Sequence, residues 1–134
     1  EVGGEIRVRG LNAQRKPWAV AIEKPVRGRR EVHTILNITD TGLATSGDYR
    51  NYFEHAGLTY SHTIDPRSSR PITHQLASVT VLHASAAMAD GMATALLVLG
   101  PDDGPALAAR LGIKAIFLVR TPDGLDTIRS PSLN

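Results

Sequence analysis

The chain of 134 residues is long enough for one domain with one modest core. Hydrophobic content of 42% and charged content of 21% are those of an ordinary globular domain, and with aromatics at 4% the core must be built mostly from Ala, Val, Ile and Leu. A net charge of +2 is too small to argue for nucleic acid, the lack of cysteine excludes disulfides, thiolate metal sites and a cysteine nucleophile, and no apolar run is long enough to span a bilayer. No signal peptide or lipid-attachment cysteine is present, and the opening Glu1-Val2-Gly3-Gly4 lacks Met, which reads as a processed product or an excised piece.

Ile6 and Val8 alternate with arginines at the period of a half-buried strand. Trp18 to Ile22 reads as a second strand ending at Pro25, Arg27 to Arg30 as a turn, and Val32 to Ile38 as a third strand. Together they predict an antiparallel meander. The basic excess, Arg15, Lys16, Lys24, Arg27, Arg29 and Arg30, gathers here, either as a solvated hairpin surface or as an edge facing an anion or partner. Leu43 to Asp48 is a short apolar run that breaks into small polar residues. Tyr49 to Phe53 and Leu58 to Ile64 flank a hairpin turn at 54–57, with a short helix across 49–52 as the alternative.

Asp65 to Pro71 is a loop by its prolines and serines. Ser78 to Leu82 is a β-branched strand. Ser85 is a good N-cap for a helix to Leu99, which Gly100-Pro101 stops. Asp103-Gly104-Pro105 opens a second helix, with Pro105 in its first turn, and Gly112 ends it. Ala115 to Val119 and Leu125 to Ile128 flank the turn Thr121-Pro122-Asp123-Gly124. The expected fold is a single α+β domain, 1–134, with two helices packed on a mostly antiparallel sheet.

Three polar clusters could carry chemistry. Asp90 and Thr94 stand four apart, so both oxygens project from one face of an apolar helix. They suit a hard cation such as Mg2+, or else Asp90 caps a loop and Thr94 bonds its own backbone. Ser46-Gly47 after a strand can expose backbone N–H groups to a phosphate, or form an ordinary turn. His62 falls where a strand enters a loop and could accept a proton from an attacking hydroxyl, or bond Asp65 or a carbonyl. Ser46, His62 and Asp65 also supply the residue types of a hydrolytic triad, without a G-x-S-x-G elbow. His33, His55, His74 and His83 show no metal-ligand spacing.

Taken in order, Gly3-Gly4, Thr45-Ser46-Gly47-Asp48-Tyr49-Arg50, Tyr60-Ser61-His62-Thr63-Ile64-Asp65-Pro66, Ser78-Val79-Thr80-Val81 and Ala89-Asp90-Gly91-Met92-Ala93-Thr94-Ala95 closely resemble the FAD:protein FMN transferase (ApbE) family. The resemblance covers nearly the whole chain and corresponds to roughly the C-terminal half of such a protein, the N-terminal half being absent. It implies an ApbE-like α+β fold and Mg2+-dependent transfer of FMN from FAD to a Thr or Ser hydroxyl of an acceptor protein, with release of AMP. Asp90 and Thr94 would be metal ligands, His62 the catalytic residue, and Gly3, Gly4, Ser46, Gly47 and Asp65 part of the FAD site. The implied acceptor is a subunit of a membrane redox complex. The implied location is the periplasmic face of the inner membrane, where the parent family is lipid-anchored.

Where the family usually carries Thr-Gly after Asp65-Pro66, this chain has Ser68-Ser69, which predicts a relaxed loop or a Ser69 held at an uncomfortable backbone angle. An exposed core edge would favour self-association. FAD hydrolysis to FMN and AMP, or a non-catalytic flavin-binding or interaction module, are the competing readings.

Overall fold

Eleven short strands and one bent helix follow one another in the computed structural model, which describes residues 4–26, 28–49, 52–55 and 57–133. In chain order the first strands are β1 (Ile6–Arg7), β2 (Trp18–Glu23), β3 (Val32–Ile38) and β4 (Gly42–Gly47). Next come β5 (Tyr52–His55), β6 (Leu58–Ser61), β7 (Ile64–Asp65), β8 (Arg70–Pro71) and β9 (Leu76–His83). The helix α1 (Ala86–Leu111) is followed by β10 (Lys114–Thr121), β11 (Gly124–Arg129) and a final helical turn at Pro131–Leu133.

The main sheet has the order β1-β4-β9-β10-β11, with every neighbouring pair antiparallel. The α+β class read from the sequence is the class observed. The first three strands do not form one meander, however: β2 and β3 pair with each other, while β1 crosses to β4 through Ile6 opposite Leu43. Strand periodicity identifies a face to bury but not the partner that buries it, and here the partner of β1 is more than thirty residues away. Tyr52 lies in a strand rather than a helix; Arg50 and Asn51, the middle of the alternative helix, lie outside the described residues.

The central strands are buried on both faces, one under the helix and one under the β2–β3 hairpin. Towards the helix, Ala44, Val79, Val81, Ala115 and Phe117 meet Ala89, Ala93, Leu96, Leu97 and Ala108. Towards the hairpin, Leu43 packs with Val8, Val20 and Ile38, and Ile116 and Leu118 pack with Ile22. His33 on β3 also reaches β11, its Nε2 lying 3.0 Å from Thr127 Oγ1.

Ser85 caps the helix, accepting from the Met88 N–H at 3.4 Å, and Gly112 closes it in the left-handed conformation with φ of 65°. At Gly100 the backbone leaves the helical region (φ 87°, ψ −173°), dividing α1 into two arms. These correspond to the two expected helices, but the second starts at Pro101 rather than at Asp103. Proline fits a first helical position because the N–H it lacks would have no partner there. Gly104 then lets the arms close on each other, since a Cβ there would lie 2.8 Å from the Leu96 carbonyl oxygen. No helix among the described residues is long and apolar enough to cross a membrane.

Candidate functional site

A cleft of about 320 Å3 opens at the end of the sheet where β4 leaves the core. Gly4, Ser46, Gly47, His62, Asp90 and Thr94 all line it. Six of the predicted site residues, taken from the N-terminal turn, β4, the end of β6 and the helix, therefore share one wall-to-wall space. Gly3 lies outside the described residues.

The local reasons differ for each element. Thr45 and Ser46 alternate across β4, so Thr45 faces the hairpin side and bonds Thr80 at 2.8 Å, while Ser46 faces the helix. Ser46 Oγ and Thr94 Oγ1 are 2.9 Å apart. A Cβ on Gly47 would sit 2.7 Å from the ring of Tyr49 and 3.0 Å from the Ala77 carbonyl oxygen, so only glycine permits this close turn. The following Asp48 is clamped by Arg120 through two bonds of 2.6 and 2.7 Å. That bidentate ion pair ties the exit of β4 to β10, two strands away.

His62 stands exposed between two buried residues, Ser61 and Thr63. The Thr63 N–H donates to Ser61 Oγ at 3.1 Å, and the Ile72 N–H donates to the Thr63 carbonyl at 3.1 Å. Fixing both neighbours inward leaves the imidazole to project outward into the cleft.

Asp90 and Thr94 are both exposed, although the helix that carries them is largely apolar. Ala89 and Ala93 take the buried stripe, and the polar pair turns away from it towards the cleft. The bland alternative fails for Thr94, whose hydroxyl bonds Ser46. Asp90 has no hydrogen-bond or ionic partner among the described residues.

Asp65 is placed differently. It does not line the cleft, and its carboxylate is held by Arg67 through Nε at 3.0 Å, Nη2 at 2.9 Å and the backbone N–H at 2.9 Å. The Arg67 side-chain bond, then its backbone bond, hold the Asp65 carboxyl below the usual carboxylate range. This engagement also separates it from the role of a triad acid beside His62. Ser69, which closes the same loop, has φ of 55°, the uncomfortable angle expected where glycine is replaced.

Glu5, Glu23 and Arg30 complete the charged lining; nothing in sequence spacing points the two glutamates to the cleft, while Arg30 belongs to the basic cluster read as a possible anion-facing edge. Arg30 contacts Glu23 at 3.5 Å, whereas Lys24 and Arg29 are taken up by Glu31. The basic hairpin is thus mostly self-paired, with one guanidinium facing the cleft; Arg27 lies outside the described residues. Asp90 is a hard carboxylate donor that lines the same cleft as the Ser46 and Thr94 hydroxyls. No cluster of three His, Cys, Asp or Glu side chains able to hold a metal exists among the described residues. The donors present suit Mg2+ only if water and phosphate oxygens fill the rest of its shell, which is how that ion is usually bound.

The fold and the cleft define an antiparallel α+β domain whose hydroxyls, acidic groups and one histidine gather at one end of the sheet. The sequence profile of the ApbE family matches residues 1–117, and the chain belongs to that family. It is 49% identical over 132 residues to the FAD:protein FMN transferase of Vibrio cholerae, covering 98% of this chain and 40% of the relative. To the Haemophilus influenzae protein of the same name it is 44% identical, covering 95% of this chain and 37% of the relative. Among solved structures, the flavin transferase ApbE from Vibrio cholerae superposes with a TM-score of 0.86 at 45% identity, over 99% of this chain and 42% of that one. The ApbE protein of Thermotoga maritima gives 0.84 at 28% identity, over 98% and 42%. The chain thus spans about 40% of the length of these two curated relatives.

Proposed function

We propose that this chain is the catalytic, C-terminal portion of an FAD:protein FMN transferase. In this reading the protein moves FMN from FAD to a Thr or Ser hydroxyl of an acceptor protein and releases AMP. The observation that carries it is the meeting of Ser46, Gly47, His62, Asp90 and Thr94 in the lining of one cleft. A cleft of about 320 Å3 is at the small end for a ligand pocket, so the diphosphate and its neighbourhood would sit here and the rest of the dinucleotide beyond it.

Asp90 and Thr94 would hold Mg2+, which supplies neutralising charge for the pyrophosphate oxygens. The acceptor oxygen attacks the phosphorus on the FMN side, the bond to the bridging oxygen breaks, and AMP leaves with that oxygen. His62 takes the hydroxyl proton as the attack proceeds. Gly4 and Gly47 present backbone to the cleft, where N–H groups would face the ligand. The acceptor in this reading is a subunit of a membrane redox complex at the periplasmic face of the inner membrane.

The test is to incubate the chain with FAD, Mg2+ and an acceptor domain, with and without the N-terminal sequence that completes the longer relatives. Intact mass and nucleotide release are then measured. FMN mass on the acceptor together with AMP supports the transferase. AMP with free FMN identifies a hydrolase, and bound FAD without either product identifies a binding module.

A further inference from the structure

The hydroxyls of Ser46 and Thr94 lie 2.9 Å apart on the cleft wall, and either can be the donor. Each hydroxyl carries one proton and two lone pairs, so the pair has two orders. In one, Ser46 donates to Thr94; in the other, Thr94 donates to Ser46. We propose that Ser46 couples cation binding to anion binding: when Asp90 and Thr94 hold a cation, Ser46 becomes a hydrogen-bond donor to the bound diphosphate. This rests on the reading of Asp90 and Thr94 as oxygen ligands and goes beyond it by giving Ser46 a distinct task.

The argument is one of proton direction. A Thr94 oxygen that gives a lone pair to a cation must turn its proton away from that cation. Ser46 Oγ is the acceptor at hydrogen-bonding distance. Having accepted there, Ser46 has its own proton left for another acceptor, and its place on the cleft wall directs that proton at the ligand. Without a cation neither order is favoured, and Ser46 is a donor to the ligand only part of the time. By linkage, anion binding strengthens cation binding by the same factor.

The frame around the pair is built to keep this geometry. Ser46 sits opposite Val79 within the sheet, Thr94 stands on the helix beside the buried Ala93, and the Asp48–Arg120 clamp fixes the strand just beyond. The strand and the helix thereby fix the two backbone positions from which the hydroxyls meet.

The test uses ADP as the diphosphate probe and calorimetry as the readout. ADP affinity is measured in EDTA and in saturating MgCl2 for the wild-type chain, Ser46→Ala, Ser46→Cys and Ser46→Thr. Association of Mg2+ with ADP in solution is common to all four and cancels in the comparison. Ser46→Ala should lose about tenfold in affinity with MgCl2, the scale of one hydrogen bond to a charged group, and about twofold or less in EDTA. Ser46→Cys, nearly isosteric but a weak donor, should show the same selective loss even if Ser46→Ala fails to fold. Ser46→Thr, which keeps the hydroxyl, should retain wild-type coupling. An equal loss in both conditions would make Ser46 a plain ligand contact and overturn the inference, as would no loss in either. A wild-type chain that binds ADP without regard to Mg2+ would overturn the ligand roles of Asp90 and Thr94 as well.

Discussion

The two faces of the central sheet solve different problems. The helix-facing side is continuous: Ala44, Val79, Val81, Ala115 and Phe117 form one apolar surface under a stripe of small helical residues. The hairpin-facing side is interrupted. Ser78 and Thr80 occupy the alternate positions of β9, the Thr45–Thr80 pair sits between strands, and the remaining apolar residues fall into two small clusters. One face fixes the fold with a single apolar surface, while the other buries hydroxyls among its apolar residues; the cleft opens where both end at β4, with Ser46 on the helix side and Thr45 on the hairpin side. Even the buried Ser78 hydroxyl, which has no partner among the described residues, lies on this second face.

The largest effect that would sharpen the contrast is on activity. His62 and Asp90 are exposed, so their loss should leave stability within about 0.5 kcal/mol of the wild type. His62→Ala should lower the FMN transfer rate by about 100-fold or more, measured as FMN mass on the acceptor. A fully retained rate would remove the proton-accepting role. Asp90→Ala should abolish Mg2+-dependent turnover, and an unchanged Mg2+ titration would remove its role as a ligand.

The helix-facing side should respond in the opposite way. Phe117 is fully buried and also touches the space where Gly104 brings the helix arms together. Phe117→Ala should cost about 3–5 kcal/mol in denaturant unfolding through the cavity it leaves. A cost below about 1 kcal/mol would mean that this face collapses easily and does not fix the fold.

What could be read from the sequence divides along the same line. Periodicity revealed the strands of the core, and Gly100-Pro101 revealed the break in the helix, because those signals are local. The pairing of β1 with β4 was not local, and a two-residue strand carries too little pattern to choose its neighbour. The meeting of Ser46 with Thr94, 48 positions apart, has no signature in spacing; only the ordered motifs of the family suggested it. Glu5 and Glu23 were missed because tertiary packing brings them to the cleft, and Arg30 was named only within the basic hairpin, as one of six residues on an edge that could face an anion. The capture of Asp65 by Arg67 was within reach, since an aspartate two residues before a donor commonly forms a local turn.

The loop holding Asp65 offers the two smaller tests, both away from the cleft. Ser69 holds φ of 55° while its N–H donates to the Asp65 carbonyl at 2.8 Å. Glycine adopts that angle without the clash a Cβ suffers, so Ser69→Gly should raise stability by about 1 kcal/mol even after the entropy glycine adds to the unfolded chain. A thermal or denaturant melt checks it, with transfer activity unchanged. A loss of stability would mean that the Ser69 side chain contributes more than its backbone angle costs.

The smallest effect is the pH response of Asp65. Its carboxyl is held below its unfolded value, first by the Arg67 side-chain bond and then by the Arg67 backbone bond. The unfolded chain therefore binds more protons in the acidic range. The stabilisation is fully present above the unfolded carboxylate value and is lost as pH falls through the lower folded one. Asp65→Asn removes the charge but keeps an oxygen able to accept from the Arg67 N–H, so it isolates the ionic part. Because the pair is at the surface, the difference between wild type and variant should be slight at neutral pH and shrink as the carboxyl protonates. Parallel melts at neutral pH and near pH 3 measure it. A gap that stays constant across that range would assign the stabilisation to the neutral hydrogen bonds of the turn, and the loop would then be fixed by its backbone rather than by its charges.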